Sequence, residues 1–168
     1  MSYYDALKVK WATLSGATAD KLAAINAATV AGPAQDVTVE AVAGQLLLNG
    51  VYPTLSTFAA GTANGNATHD AALQAAKVLM AWVTVPNAPS IKMSDPTVYA
   101  TVAGMAAAIV TQETASSGST GFTAIFSAKL LALAATTLPW ATAPVSLGGG
   151  GLGGAVSQND LDAAGGLV

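Results

Sequence analysis

Glycine and proline divide this chain into short segments, and this punctuation limits what it can fold into. Between the breakers, apolar residues recur at intervals of three and four, as on one face of an α-helix. Leu7, Trp11 and Leu14 form the first such stripe, and Gly32-Pro33 ends the second segment. No segment alternates apolar and polar residues over a useful length. The pattern predicts an all-α fold, a bundle of about six to seven short helices.

Several of these segments carry start and stop signals. Thr18 is a candidate N-cap of the second helix, and Asp95-Pro96 combines a capping side chain with proline at the first helical position. Asn49-Gly50 is a left-handed stop after a helix that begins at Thr38, and a longer helix begins at Thr68 or His69. The apolar stripes predict these further core positions: Leu22, Ile25, Thr29, Val39, Val42, Leu46, Leu47, Leu73, Met80, Trp82, Val98, Val102, Met105, Ile109, and, in a last helix ending at Pro139, Phe122, Ile125, Phe126, Leu130, Leu133 and Leu138.

The C-terminal part of the chain has a different composition. Its glycine run, Gly148–Gly154, offers no side chain to a core, and glycine costs backbone entropy to order. Ser157 and Asp160 resemble a capping box, which predicts a short helical turn after the run. We therefore predict a helical domain over residues 1–144 and a flexible glycine-rich arm with a short docking helix over 145–168.

The alanine-rich chain carries little charge. Lysine and arginine together number 6 and Asp and Glu 9 among 168 residues, so 9% are charged, against roughly 25% in typical soluble domains. A free globular protein needs charge to stay dissolved, so we expect much of this surface to be covered by partners. All the cations are scattered lysines, which argues against nucleic-acid binding. The lack of arginine argues against an anion-binding catalytic site.

Cysteine is absent, which excludes disulfides, thiolate metal sites and cysteine nucleophiles. The segment 1–5 has no basic region followed by an apolar run, so we expect no signal peptide and synthesis in the host cytoplasm. The most apolar stretches are 98–110 and 122–145. The first is shorter than the roughly 20 residues that a membrane span needs, and the second contains Lys129 and Pro139. We therefore expect no membrane partner.

Few residues suggest chemistry. The single histidine, His69, precedes Asp70, and the two could supply half of a Ser-His-Asp system or one metal ligand. Neighbours on a helix do not face one another, so a polar pair in a first helical turn is favoured. Asp36 and Glu40 could bind a hard cation only with further oxygen ligands, and a solvated helix start is favoured. The glycine run lacks the strand and the Lys-Ser/Thr of a phosphate loop. We predict no catalytic residue, no metal site and no cofactor.

The three tryptophans lie in different segments. Trp11 and Trp82 occupy helical apolar positions and are predicted core residues, although a carbohydrate-stacking platform is an alternative. Trp140 follows Pro139 at a helix end and is a candidate interface residue. With the apolar residues of the arm it completes the predicted partner-binding set, which is Trp140, Leu147, Leu152, Val156 and Leu161.

Several fragments of the chain resemble a known family. In order they are Leu46-Leu-Leu-Asn-Gly50, Met93-Ser-Asp-Pro96, Lys129-Leu-Leu-Ala-Leu-Ala134, Trp140, Leu147-Gly148, Val156-Ser157 and Asp160-Leu161. This order resembles small helical proteins of tailed bacteriophages and prophages that are encoded among the virion structural genes. The resemblance extends over residues 40–165. It departs from the family at Ala141-Thr-Ala-Pro144, where relatives carry Arg and Glu, so a role of that charged stretch does not carry over.

The resemblance implies a non-enzymatic virion protein, placed in the tail, in its fibre or in the baseplate attachment region. Its implied partners are other virion structural proteins, and the sparse charge agrees with a homo-oligomer in a symmetric assembly. A head–tail connector (neck) protein and a capsid cement protein are alternatives of the same class. A small hydrolase that uses His69 and a membrane-active lysis protein are alternatives of another class.

Overall fold

The structure, a computed structural model, describes residues 2–85, 89–116 and 120–167. Within these ranges the chain forms eight α-helices and two short strands, so the prediction of an all-α bundle of short helices is confirmed. The helices are α1 (Tyr3–Ala12), α2 (Thr18–Ala27), α3 (Val39–Leu48), α4 (Val51–Ala59), α5 (Ala67–Thr84), α6 (Pro96–Ala115), α7 (Ala124–Ala132) and α8 (Gln158–Ala163). The strands are β1 (Thr29–Ala31) and β2 (Thr137–Pro139).

The chain folds into two compact units. Unit 1 combines the described residues of 1–33 with those of 136–168, and unit 2 consists of those of 34–135. The predicted division into 1–144 and 145–168 differs from this arrangement. Its boundary was placed at a change of composition, whereas the observed boundary depends on which distant segments pair.

In unit 1 the two strands pair antiparallel, with Val30 opposite Leu138. The ladder continues at both ends. The Trp140 N–H donates to the Ala28 carbonyl at 2.8 Å, and the Gly32 N–H donates to the Thr136 carbonyl at 2.8 Å. This pairing attaches the C-terminal segment to the N-terminal one, although all of unit 2 separates them along the chain.

The core of unit 1 draws on both segments. Its largest members are Leu7, Trp11, Ile25, Trp140, Val156 and Leu161, and all are buried. The Asn26 side chain fastens the C-terminal segment by two hydrogen bonds. Its amide donates to the Val156 carbonyl at 3.0 Å, and its oxygen accepts from the Val156 N–H at 2.8 Å. Residues 145–167 therefore pack within unit 1, and the prediction of a flexible arm is corrected.

The short helix predicted after the glycine run is present as α8. Ser157 is its N-cap, and Ser157 and Asp160 form the reciprocal capping box expected from the sequence. The single 3-10 turn Val145–Leu147 precedes the run. Because Leu161 and Ala164 are fully or almost fully buried, α8 contributes to the core of unit 1.

The glycine run packs through its backbone. A Cβ atom at Gly149 would overlap the carbonyl oxygen of Ala143, and one at Gly150 would lie 3.0 Å from the Trp140 ring. The Gly150 N–H donates to the Trp140 carbonyl at 2.6 Å, and the Gly151 N–H donates to Ala143 at 2.8 Å. The missing side chains thus permit a close approach of two backbones, which the entropic argument for a flexible run did not consider.

In unit 2 the helices α3 to α7 surround one core. Its fully buried large side chains include Leu46, Leu55, Ile109 and Phe122. The predicted signals at two helix ends are present: Asp95 caps α6 with proline at the first position, and Gly50 has a φ of 66°. Trp11 is buried in unit 1, and Trp82 packs partly buried against the core of unit 2.

Some helix boundaries and core positions differ from the sequence expectations. Ala17, not Thr18, occupies the N-cap of α2, and Asn66 caps α5. The last helix of unit 2 ends at Ala132, and Leu138 belongs to β2. Leu47 and Ile125, which were assigned to the core, lie on the surface because neighbouring apolar residues fill the inner face of their helices.

The close backbone approach at the glycine run predicts an asymmetric response to alanine. We expect Gly149→Ala to lower the free energy of unfolding by about 1–3 kcal/mol, because the new methyl group overlaps the Ala143 carbonyl. Gly153→Ala is the matched control, since a Cβ there meets nothing within 4 Å. Urea unfolding measures both. Equal stability of the two variants would contradict the packed arrangement.

Candidate functional site

His69 and Asp70 lie in the first turn of α5 and contact each other. The Nδ1 atom of His69 is 3.1 Å from an Asp70 carboxylate oxygen, so the expectation that these neighbours cannot meet was wrong. The contact forms because the carboxylate turns back toward the preceding loop, where it accepts the N–H of Asn64 at 2.9 Å and of Gly65 at 3.1 Å. The His69 ring packs edge-on against Phe58 at 5.4 Å.

This pair acts as a loop anchor. The N–H of Asn64, then the His69 side chain and the N–H of Gly65, lower the pKa of the Asp70 carboxyl. No hydroxyl group in the described ranges is hydrogen-bonded to His69, and a triad requires one positioned as a nucleophile. The interpretation as a polar pair in a first helical turn is confirmed.

Asp36 joins two connecting segments of unit 2. Its carboxylate accepts the Lys92 ammonium at 2.7 Å, the Ser94 hydroxyl at 2.5 Å and the Ser94 N–H at 3.2 Å. Beside it, Val37 and Ile91 exchange backbone hydrogen bonds of 3.0 and 2.7 Å. Hydrogen bonds from Lys92 and then Ser94 lower the pKa of Asp36 to about 2.

A metal ion is not what this carboxylate binds in the structure. Glu40 is exposed in the first turn of α3, as the alternative interpretation of a solvated helix start expected. Among the described residues, no group of three or more His, Asp and Glu side chains could hold a metal ion. Asp36 is thus a structural ion-pair member that holds residues 91–94 against the start of α3.

Glu113 forms a third anchor, which the sequence did not reveal. One carboxylate oxygen accepts the N–H and the hydroxyl of Thr120, at 2.6 and 2.5 Å, and the Gly121 N–H at 3.0 Å. Thr120 is fully buried, and its carbonyl accepts the Thr54 hydroxyl at 2.9 Å. No short motif marks a lone glutamate seven residues before such a turn, so only the fold brings these groups together.

The predicted partner-binding residues do not share one exposed surface. Trp140, Val156 and Leu161 are buried in the core of unit 1, where their side chains cannot reach a partner. Leu152 is half-buried, and Leu147 is 43% exposed. Leu147 is therefore the member of this set whose side chain is open to a neighbour.

An open pocket of about 290 Å³ lies in unit 1. Lys10 supplies its only charged side chain among the described residues, and the Thr13 hydroxyl already donates to the Lys10 carbonyl at 2.7 Å. The other lining residues are Ala6, Val9, Val30, Trp140, Val145, Gly148 and Gly149. A mostly apolar lining with one lysine holds no acid–base pair that could carry out a reaction.

The most exposed apolar side chains of unit 2 belong to α3 and α7. Leu47 is 61% exposed, Leu48 83% and Ile125 73%. The Lys129 ammonium donates to the Asn49 side-chain oxygen at 2.8 Å, which brings the outer side of α7 to the C-terminal end of α3. We call the outer surface formed by Glu40, Gly44, Leu47, Leu48, Ile125 and Lys129 the α3–α7 face. The sequence pattern missed it because the apolar stripes included Leu47 and Ile125.

No helix in the described ranges combines the length and the apolarity needed to cross a bilayer. Comparisons of the chain with protein-family models, with curated proteins and with solved structures found no match. The case for a function therefore depends on the residues of this chain.

The Asp36 cluster predicts a pH-dependent contribution to stability. The pKa of Asp36 falls from 3.8 to about 2 on folding, so its stabilising effect is fully present above pH 3.8 and is lost as the pH falls toward 2. We expect Asp36→Asn to be less stable than the wild type at pH 7 and the difference to shrink through that range. Chemical unfolding at several pH values measures it, with the exposed Asp162→Asn as control. A difference that persists at pH 2 would contradict the assignment.

The anchor at Asp70 predicts a local effect on amide exchange. Asp70→Ala should accelerate hydrogen exchange at the Asn64 and Gly65 amides, because both lose their acceptor. His69→Ala leaves both acceptors in place and should change these two amides much less. Native-state hydrogen exchange by NMR distinguishes the variants, and equal acceleration in both would show that the carboxylate is not the anchor.

Proposed function

We propose that this protein is a non-enzymatic structural component of a tailed bacteriophage virion, located in the tail, its fibre or the baseplate attachment region. Repeated copies assemble there through apolar helical surfaces, together with other virion proteins. The observation that carries the proposal is the exposure of large apolar side chains on the α3–α7 face of a chain with very few charges. The family resemblance of residues 40–165 supplies the virion setting.

The surface supports assembly because little on it favours isolation. Only 9% of the residues are charged, and the net charge is −3. Mutual repulsion between copies is correspondingly weak. Leu48 and Ile125 expose most of their side chains close to the Lys129–Asn49 contact, and contiguous apolar surface of this kind is typical of protein interfaces.

The polar clusters support a structural role rather than catalysis. Asp36, Asp70 and Glu113 each accept hydrogen bonds from the backbone, and each joins two segments of unit 2. A carboxylate that is held by several donors is a weak general base, because those donors stabilise its charged form. Their arrangement favours a rigid part of an assembly.

The C-terminal segment enters this proposal as part of the body. Val156 and Leu161 pack inside unit 1, so contacts between subunits are assigned to exposed side chains. These are the α3–α7 face and Leu147, in place of the predicted docking arm.

Immunogold labelling of purified phage particles tests the proposed function. Antibodies against the chain should label the distal tail, its fibres or the baseplate, and particles lacking the gene are the control. Label at the neck would favour the connector alternative, and label over the head would favour a cement protein. Unlabelled particles from a lysate that contains the free protein would overturn a virion role.

A further inference from the structure

We propose that a second copy of this chain docks on the α3–α7 face, with the two α3 helices antiparallel across a two-fold axis at Gly44. This inference rests on the proposed function for its biological setting, and it names the surface through which copies meet. It is argued from the shape of the outer side of α3, from a glycine that the monomer does not need, and from the position of two charges.

The two sides of α3 differ in burial. Val39, Val42 and Leu46 are buried against the rest of unit 2. On the opposite side, Glu40, Gly44, Leu47 and Leu48 lie within an arc of about 100° on a helix of 3.6 residues per turn. This outer side consists of two large apolar side chains, a gap at the glycine and one carboxylate.

Gly44 has no explanation within unit 2. A Cβ atom there would meet nothing within 4 Å, and the residue is not among those with positive φ. Glycine in a helix interior is destabilising relative to alanine. A second backbone that approaches this point from outside would account for it, because the missing side chain lets two helices come close. Gly44 therefore marks the crossing point.

The charges fix the direction of the second helix. A two-fold axis at Gly44 places Glu40 of one copy opposite Leu48 of the other, next to Asn49. Asn49 binds the Lys129 ammonium at 2.8 Å, so each Glu40 faces a Lys129 of the other copy. Neither residue belongs to an ion pair within the described ranges. A parallel arrangement would bring the two Glu40 carboxylates together, which repel.

The same arrangement covers the apolar residues. Leu47 and Leu48 of each copy meet the start of the opposite α3, where Gly44 leaves space for them. Ile125 lies one helical turn before Lys129 on α7, on the side that borders the C-terminal end of α3. Apolar contacts would thus lie between two flanking ion pairs, a common pattern of core and rim in interfaces.

Gly44→Gln in the full chain tests the crossing point. We expect the wild type to form a dimer by sedimentation equilibrium. The variant should raise the dissociation constant at least about tenfold, because a long side chain fills the gap. Gly104→Gln in α6 is the matched control, since its Cβ position is also open, and it should leave the dissociation constant unchanged. Unchanged circular dichroism shows that the monomer folds in each case.

A charge exchange tests the antiparallel pairing. Glu40→Lys and Lys129→Glu should each weaken the dimer, and the double variant should recover most of the lost affinity because the pairs are restored with reversed sign. Lys77→Glu makes the same charge change at an exposed position of α5 and is the control. Loss of affinity without recovery in the double variant would contradict the pairing of these two residues.

The register is accessible by cross-linking because the chain has no cysteine of its own. When Glu40→Cys and Leu48→Cys proteins are mixed, a short bismaleimide should join one of each. Cross-links that join only identical variants indicate a parallel dimer and overturn the proposal.

A chain that stays monomeric at high concentration, or a dimer that tolerates Gly44→Gln, would also overturn it. These outcomes are separate from those of the labelling experiment. Labelled particles with a monomeric chain would refute this dimer alone, whereas a dimer and unlabelled particles would refute the virion role alone.

Discussion

The antiparallel pairing of β1 with β2 is the contact on which the architecture of unit 1 depends. Its backbone hydrogen bonds, extended by those of Gly32 and Trp140, attach the C-terminal segment beside the N-terminal helices. Once the chain returns there, Val156 and Leu161 have a core to enter, and Asn26 has a backbone to hold. The glycine run then passes close to the Trp140 ring, where a larger residue would not fit. Each of these contacts requires the pairing that precedes it.

Local signals predicted most of the helices, because the forces that begin and end a helix act within a few residues. Asp95-Pro96 starts α6 and Gly50 takes up the left-handed conformation after α3, as expected. Non-local features were beyond such signals. The strands are only three residues long, and their pairing joins segments on either side of unit 2. Their partner, and therefore the burial of Trp140, could not be read from composition or periodicity.

The candidate sites show the same division. The sequence singled out His69, but it could not show that the Asp70 carboxylate also holds the loop before α5. Periodicity identified the apolar positions of α3, yet its stripe contained both Leu46, which is buried, and Leu47, which is exposed. A spacing of three or four residues locates apolar positions, while the elements that pack on the helix decide which of them face inward. The α3–α7 face is therefore a product of tertiary packing.

The sparse charge and the exposed apolar residues together imply that this protein works covered by neighbours. Hydroxyl-radical footprinting tests that claim most directly, by comparing the free protein with purified particles. The account predicts that Leu47, Leu48 and Ile125 react in the free protein and are protected in the particle, while exposed residues outside the α3–α7 face change less. Equal reactivity of these three side chains in both samples would contradict it.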